Sequence, residues 1–202
     1  MKKMLIAITG PSGSGKTTLG DLLIGREGFV TPLHSTTRSP RLDDKPEFYR
    51  YLSHDEFKCL AVNSKFLFWS GDDVIIDKSK GNYYGILKSD YTAIYDNSRL
   101  LFFISYKDIS NVMNLNALGL DVNIVNLGFA DLENTMKIRL SVPERGHTSN
   151  DIESRIKCAK QYEEQFSNEL SNSNILKIPS DVLSIEDTYS LVRKKIILKE
   201  RN

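Results

Sequence analysis

Gly10-Pro11-Ser12-Gly13-Ser14-Gly15-Lys16-Thr17 decides the reading of this chain. Two glycines bracket four residues, and Lys and Thr follow, which is the phosphate-cradling P-loop pattern. The run before it, Met4-Leu5-Ile6-Ala7-Ile8, is uncharged and apolar throughout. A strand covered on both faces of a parallel sheet reads this way. The stretch after it, Lys16 to Ile24, has helical spacing, with Gly25 placed to end the helix. Strand, glycine-rich turn and helix together predict a nucleotide triphosphate site. The glycines turn N–H groups toward one point, and the helix N-terminus adds to the anion site. On this reading Ser12, Gly13, Ser14, Gly15, Lys16, Thr17 and Thr18 bind the nucleotide triphosphate. Lys16 reaches the β- and γ-phosphates, and Thr17 ligates Mg²⁺.

Working outward, Leu100 to Ile104, Val122 to Leu127 and Ile175 to Ile178 read as further buried strands. Asp131 to Leu140, Asn150 to Phe166 and Ser184 to Lys199 read as helices, the last opened by a Ser184–Asp187 capping box. Between Thr31 and about Asn97 the character turns polar and aromatic, which predicts an inserted substrate lobe of short strands plus a helix near His54 to Ala61. Strands alternating with helices give an α/β fold with a mostly parallel sheet flanked by helices.

The 202 residues suffice for one domain with a subdomain. A net charge of +1 gives no general attraction to nucleic acid or to an anionic membrane. No run approaches the roughly 18 apolar residues that span a bilayer. Cys59 and Cys158 lack metal-ligand spacing and read as reduced thiols of a cytoplasmic protein. No isolated apolar stripe specifies an oligomeric state.

Three further groups carry chemistry. In Ser35-Thr36-Thr37-Arg38-Ser39-Pro40-Arg41, two arginines three apart can offer guanidinium forks to one phosphate, and Tyr49 adds a hydroxyl. Alone, the pair is a weak signal, and a solvated basic loop explains it better. Behind a P-loop, a second phosphate site means an acceptor that is already phosphorylated. Gly81-Asn82-Tyr83-Tyr84-Gly85 is a turn with paired tyrosines. Arg139, Arg145 and Arg155 flank a turn-rich break and could neutralise charge on a transferring phosphoryl group.

Taken in order, these motifs resemble the guanylate kinase family over nearly the whole chain. Also part of the resemblance are Tyr49 before Ser53-His54-Asp55-Glu56-Phe57, Phe66-Leu67-Phe68-Trp69, and Arg139-Leu140 followed by Arg145-Gly146 and Arg155. The resemblance implies a single three-part domain. Its P-loop kinase core covers about 1–32, 98–130 and 167–202. An inserted acceptor lobe covers about 33–97, and a helical lid about 131–166. It also implies ATP-dependent, Mg²⁺-assisted phosphoryl transfer to GMP. Arg38, Arg41, Tyr49 and Tyr84 would hold the acceptor phosphate, and Lys16, Arg139, Arg145 and Arg155 would act on the transferring group.

The base-contact positions depart from that family. His34 stands where Ser is usual, Phe68 where Glu is usual, and Ile86 where Ser or Thr is usual. Phe103 and Ser105 stand in place of an Asp-x-Asp pair. Phe68 cannot accept a hydrogen bond from the N–H groups of guanine, and an unpaired buried donor costs about 1–3 kcal/mol. His34, Phe68, Ile86 and Ser105 are therefore the candidate base or sugar pocket. The expected substrate is a small nucleotide, GMP or a relative. The alternatives are a sugar phosphate such as ribose 1,5-bisphosphate, or a binding module without catalysis. The intact P-loop argues against the last.

Overall fold

In the computed structural model, residues 3–40, 44–71, 76, 81–143, 146–172 and 174–198 are described. The apolar N-terminal run forms β1 (Lys3–Thr9), buried from Met4 to Thr9. It is flanked on both sides, by β6 (Arg99–Phe103) and β7 (Leu120–Gly128), and β8 (Ile175–Pro179) completes a four-stranded sheet in the order β6-β1-β7-β8. All three pairings are parallel, which is why these segments lack a polar alternation. The register places Ile8 beside Phe103 and Thr9 beside Asn126, so β1, β6 and β7 end together at one edge.

Helices cover both faces. On one, α1 (Lys16–Glu27) and α8 (Ile185–Lys195) pack over Met4, Ile6, Ile8, Leu101 and Val125. On the other, α4 (Ile109–Met113) and the short helix α7 (Ser167–Leu170) cover Leu5, Ala7, Leu100, Phe102 and Ile124. The spacing had put the end of the first helix at Gly25. The helix instead runs through it to Gly28, whose φ of 70° lets its N–H turn back to the carbonyls of Leu23 and Ile24. Ser184 caps α8 by accepting from the Asp187 N–H.

A second sheet, ordered β3-β2-β5-β4, is built from the aromatic segment. Its strands are β2 (His34–Thr36), β3 (Tyr49–Tyr51), β4 (Phe66–Gly71) and β5 (Tyr83–Leu87). Helix α2 (His54–Val62), started by a Ser53–Glu56 capping box, packs Phe57 against Phe66, Tyr83 and Leu87. Helix α3 (Lys88–Ile94) follows β5 directly. The two sheets meet through Phe68, whose ring lies 6.2 Å from that of Phe102, and through Ile86 within the same cluster. Beyond β7, α5 (Leu132–Leu140) and α6 (Ser149–Gln165) form a helical pair with its own core of Met136, Leu140, Ile152, Ile156 and Ala159. Among the described residues no helix is long and apolar enough to cross a membrane, and Cys59 and Cys158 are unpaired.

Candidate active site

The loop between β1 and α1 takes its shape from glycine. Gly10 has φ 142°, and a Cβ there would lie 2.3 Å from the Leu127 carbonyl oxygen, so no larger residue fits against β7. Gly13 and Gly15 hold φ of 79° and 90°. The loop therefore wraps the N-terminus of α1, whose first N–H groups have no carbonyl ahead of them within the helix. The Ser14 hydroxyl is buried with no hydrogen-bond partner among the described residues. Lys16 donates to the carbonyls of Gly10 at 2.7 Å and Pro11 at 2.8 Å, which keeps its ammonium at the mouth of the loop. Thr17 and Thr18 are exposed on the first turn of α1. Unmatched donors, a cation and a free-facing hydroxyl fit a triphosphate with Mg²⁺.

Two of the three arginines near the far end of the chain arrive at this loop. Arg139, late in α5, donates to the Gly13 carbonyl at 2.9 Å and the Ser180 carbonyl at 2.6 Å. Arg155, on α6, donates to the Ser12 hydroxyl at 3.1 Å. Arg145 lies outside the described residues. The base of this helical pair is fixed by Asp181, which accepts from the N–H groups of Ala130 and Asp131 and from the Thr135 hydroxyl. Ser180 and Asp181 carry no motif, so the sequence offered no signal for them.

The second constellation sits at the edge of the second sheet. Arg38 follows β2 directly, and Tyr49 and Tyr84 come from the strands on either side of β2. Arg38 is 7% exposed, and its guanidinium lies 4.8 Å from the centre of the Tyr49 ring. Asp44 takes both of its terminal nitrogens, each at 2.6 Å. Burial pulls the Arg38 pKa down, but the bond and charge of Asp44 outweigh it and the net shift is upward. Arg41 lies outside the described residues. The proposed phosphate group is thus assembled around Arg38, with a carboxylate the sequence reading did not anticipate. A cavity of about 750 Å³ opens beside it, walled by Thr37 and Ser39 and, opposite, by His54, Lys58 and Asn82.

The candidate pocket residues part company. His34 is buried between the sheets. Its Nε2 accepts from the Phe103 N–H at 3.1 Å, which leaves the proton of the neutral ring on Nδ1. Burial lowers its pKa to about 4, against weaker opposing effects of the Phe48 and Pro32 backbone. Ile86 is also buried, and Phe68 packs on Phe102. Ser105 stays polar in its contacts, with its hydroxyl 3.4 Å from that of Ser70.

No protein-family model matches the chain. Over 87 residues it is 38% identical to a guanylate kinase of Synechocystis, a stretch covering 42% of each chain. Across the first curated relatives the match spans less than half of the relative's length, between 42% and 44%. Over 190 residues, 93% of this chain and 98% of the relative, it is 25% identical to a guanylate kinase of Prochlorococcus marinus strain MIT 9312. The crystal structure of guanylate kinase from Anaplasma phagocytophilum shares the fold, with a TM-score of 0.65 over 99% of this chain and 86% of that one, at 16% identity. The chain is thus similar to guanylate kinases in sequence and shares their fold.

Within this fold, Asp108 carries no sequence signal. It lies in a single turn, Tyr106–Asp108, that follows β6 at the edge shared with the P-loop. Its Oδ2 accepts from the Ser105 N–H and hydroxyl, while Oδ1 is buried with no partner among the described residues. Burial raises its pKa, against the hydrogen bonds of Ser70 and Ser105. A carboxylate is therefore present near Ser105, displaced by three positions along the chain.

Proposed function

We propose that this chain transfers the γ-phosphoryl group of ATP to a nucleoside monophosphate, giving the diphosphate and ADP. The observation that carries the reading is the meeting of Lys16, Arg139 and Arg155 at one glycine-shaped loop, from three separate elements. Phosphoryl transfer needs positioning and charge stabilisation more than covalent chemistry, and three cations around a ring of N–H groups supply both. Arg38, Tyr49 and Tyr84 supply the phosphate grip for the acceptor. The relatives named guanylate kinase support the reaction class.

In this scheme the loop N–H groups and Lys16 bind the triphosphate. Arg139 and Arg155 close over it and exclude water. Mg²⁺, when bound with ATP, would be held by the phosphates and the Thr17 hydroxyl, and would neutralise charge on the β- and γ-phosphates. Asp108 favours an acceptor whose ring carries N–H donors, GMP or IMP, because its Oδ1 needs a donor and burial makes that need costly. Coupled ADP release measured with GMP, IMP, AMP and ribose 1,5-bisphosphate tests this. Turnover with GMP or IMP is expected. Turnover with the sugar phosphate alone would overturn the nucleotide acceptor, and no ADP release with any acceptor would overturn the reaction.

A further inference from the structure

Arg38 is held in a particular way. Nη1 donates to Asp44 Oδ2 and Nη2 to Asp44 Oδ1, two parallel bonds of 2.6 Å, and Nη1 also reaches the Ser39 carbonyl at 3.0 Å. Asp44 is 11% exposed, so this is a shielded pair rather than a surface one. The Tyr51 hydroxyl donates to the same Oδ2 at 2.5 Å, and the Tyr51 ring lies 5.7 Å from the guanidinium. Two parallel N–H···O bonds are also how a guanidinium grips two oxygens of a phosphate. The edge formed by Nη1 and Nη2 admits one such partner at a time.

We propose that Asp44 is a specificity residue whose carboxylate sits in the acceptor-phosphate seat of Arg38 and is exchanged for the acceptor's phosphate on binding. The inference rests on the proposed reading of Arg38 as the acceptor-phosphate group. No bond is made or broken in the exchange; one anion leaves the fork as another enters. Its consequence is selection by charge. A carboxylate brings one negative charge and two oxygens, whereas a phosphate monoester brings nearly two charges and three oxygens near pH 7. A dianionic phosphate wins the exchange, and a neutral or singly charged mimic does not. Asp44 also keeps the buried guanidinium paired between turnovers, since a shielded cation without a partner is costly. If Asp44 instead holds the guanidinium for a phosphate approaching its Nε edge, removing Asp44 has the opposite effect.

The sign of that effect is the test. The full chain, with saturating ADP filling the P-loop, is titrated with inorganic phosphate and with GMP by calorimetry and thermal shift. Wild type is compared with Asp44→Asn, Tyr51→Phe and Arg38→Lys. Inorganic phosphate reads the fork without depending on which base the acceptor carries. Asp44→Asn is expected to bind phosphate about tenfold more tightly than wild type, with a lower melting temperature alone and a larger rise on adding phosphate. Tyr51→Phe removes one hold on Asp44 without touching Arg38, so it keeps the question open if Asp44→Asn does not fold. It is expected to tighten phosphate severalfold. Weaker or unchanged binding in both variants, with Arg38→Lys also weakening phosphate, overturns the exchange and leaves Arg38 as the acceptor group. Unchanged binding in Arg38→Lys overturns the acceptor reading, and the exchange with it.

Discussion

The two halves of the proposed site are built on different principles. The triphosphate half is made of backbone: a contiguous loop, glycines at φ of 142°, 79° and 90°, and a helix N-terminus. The acceptor half is made of side chains drawn from β2, β3, β5 and the turn after β6. Few residues satisfy that backbone geometry, whereas side-chain recognition varies position by position. In the proposed acceptor half, Arg38, Tyr49 and Tyr84 would grip a phosphate, while His34 and Ile86 are buried and Phe68 is partly buried against Phe102.

Breaking the backbone half has the largest expected effect. Lys16→Ala should lower kcat by about 10³-fold or more, since it removes a charge aimed at the transferring group. Its far-UV spectrum should stay native. Retained turnover in an ADP-release assay would remove Lys16 from the phosphates.

The acceptor half should instead reveal itself through stability. His34 titrates near 4 in the fold and near 6.5 when unfolded. Between those values the unfolded chain binds the extra proton. Stability contributed by neutral His34 is therefore complete above pH 6.5 and is lost as pH falls toward 4, by up to about 3 kcal/mol. Denaturant melts of wild type and His34→Gln across that range should diverge in slope. Parallel curves would show that His34 is not buried neutral.

Arg38→Ala sharpens the division between the halves. It should raise the acceptor KM by about 10²-fold while leaving the ATP KM within about twofold, because it removes a bidentate phosphate contact on one side only. An effect confined to ATP would exchange the two assignments. Phe68→Glu is the smallest. A carboxylate at position 68 would offer an acceptor to the N–H groups of guanine and should lower the GMP KM about three- to tenfold. No gain would indicate that Asp108 already meets the donor, and the same measurement in Asp108→Asn separates these cases.

The sequence displayed the backbone half almost completely, because the P-loop needs neighbours in order and its strand needs an unbroken apolar run. The four strands of the parallel sheet were legible for the same reason. Gly25 misled because a glycine can ride inside a helix when a second one, Gly28, takes the left-handed turn. The side-chain half was legible only in its phosphate motif. Asp44 pairs with Arg38 across a loop, and Asp108 meets Ser70 from a different sheet, so no periodicity announces either one. Nothing in the neighbours of His34 shows that a backbone N–H from β6 meets its ring.

Phe103 reaches further than its own position. A Cβ added at Gly20, in the middle of α1, would lie 2.4 Å from the end of the Phe103 ring, which is itself wedged against His34 and Phe48. Glycine inside a helix ordinarily costs about 1 kcal/mol relative to alanine, so position 20 would gain from alanine were the ring absent. The two residues therefore constrain the order in which this chain can change. A smaller residue at 103 would open space beside position 20, where Leu101 Cδ2 at 3.3 Å is the next neighbour; the reverse order meets a collision. The first helix and the end of β6 are coupled through this one side-chain contact.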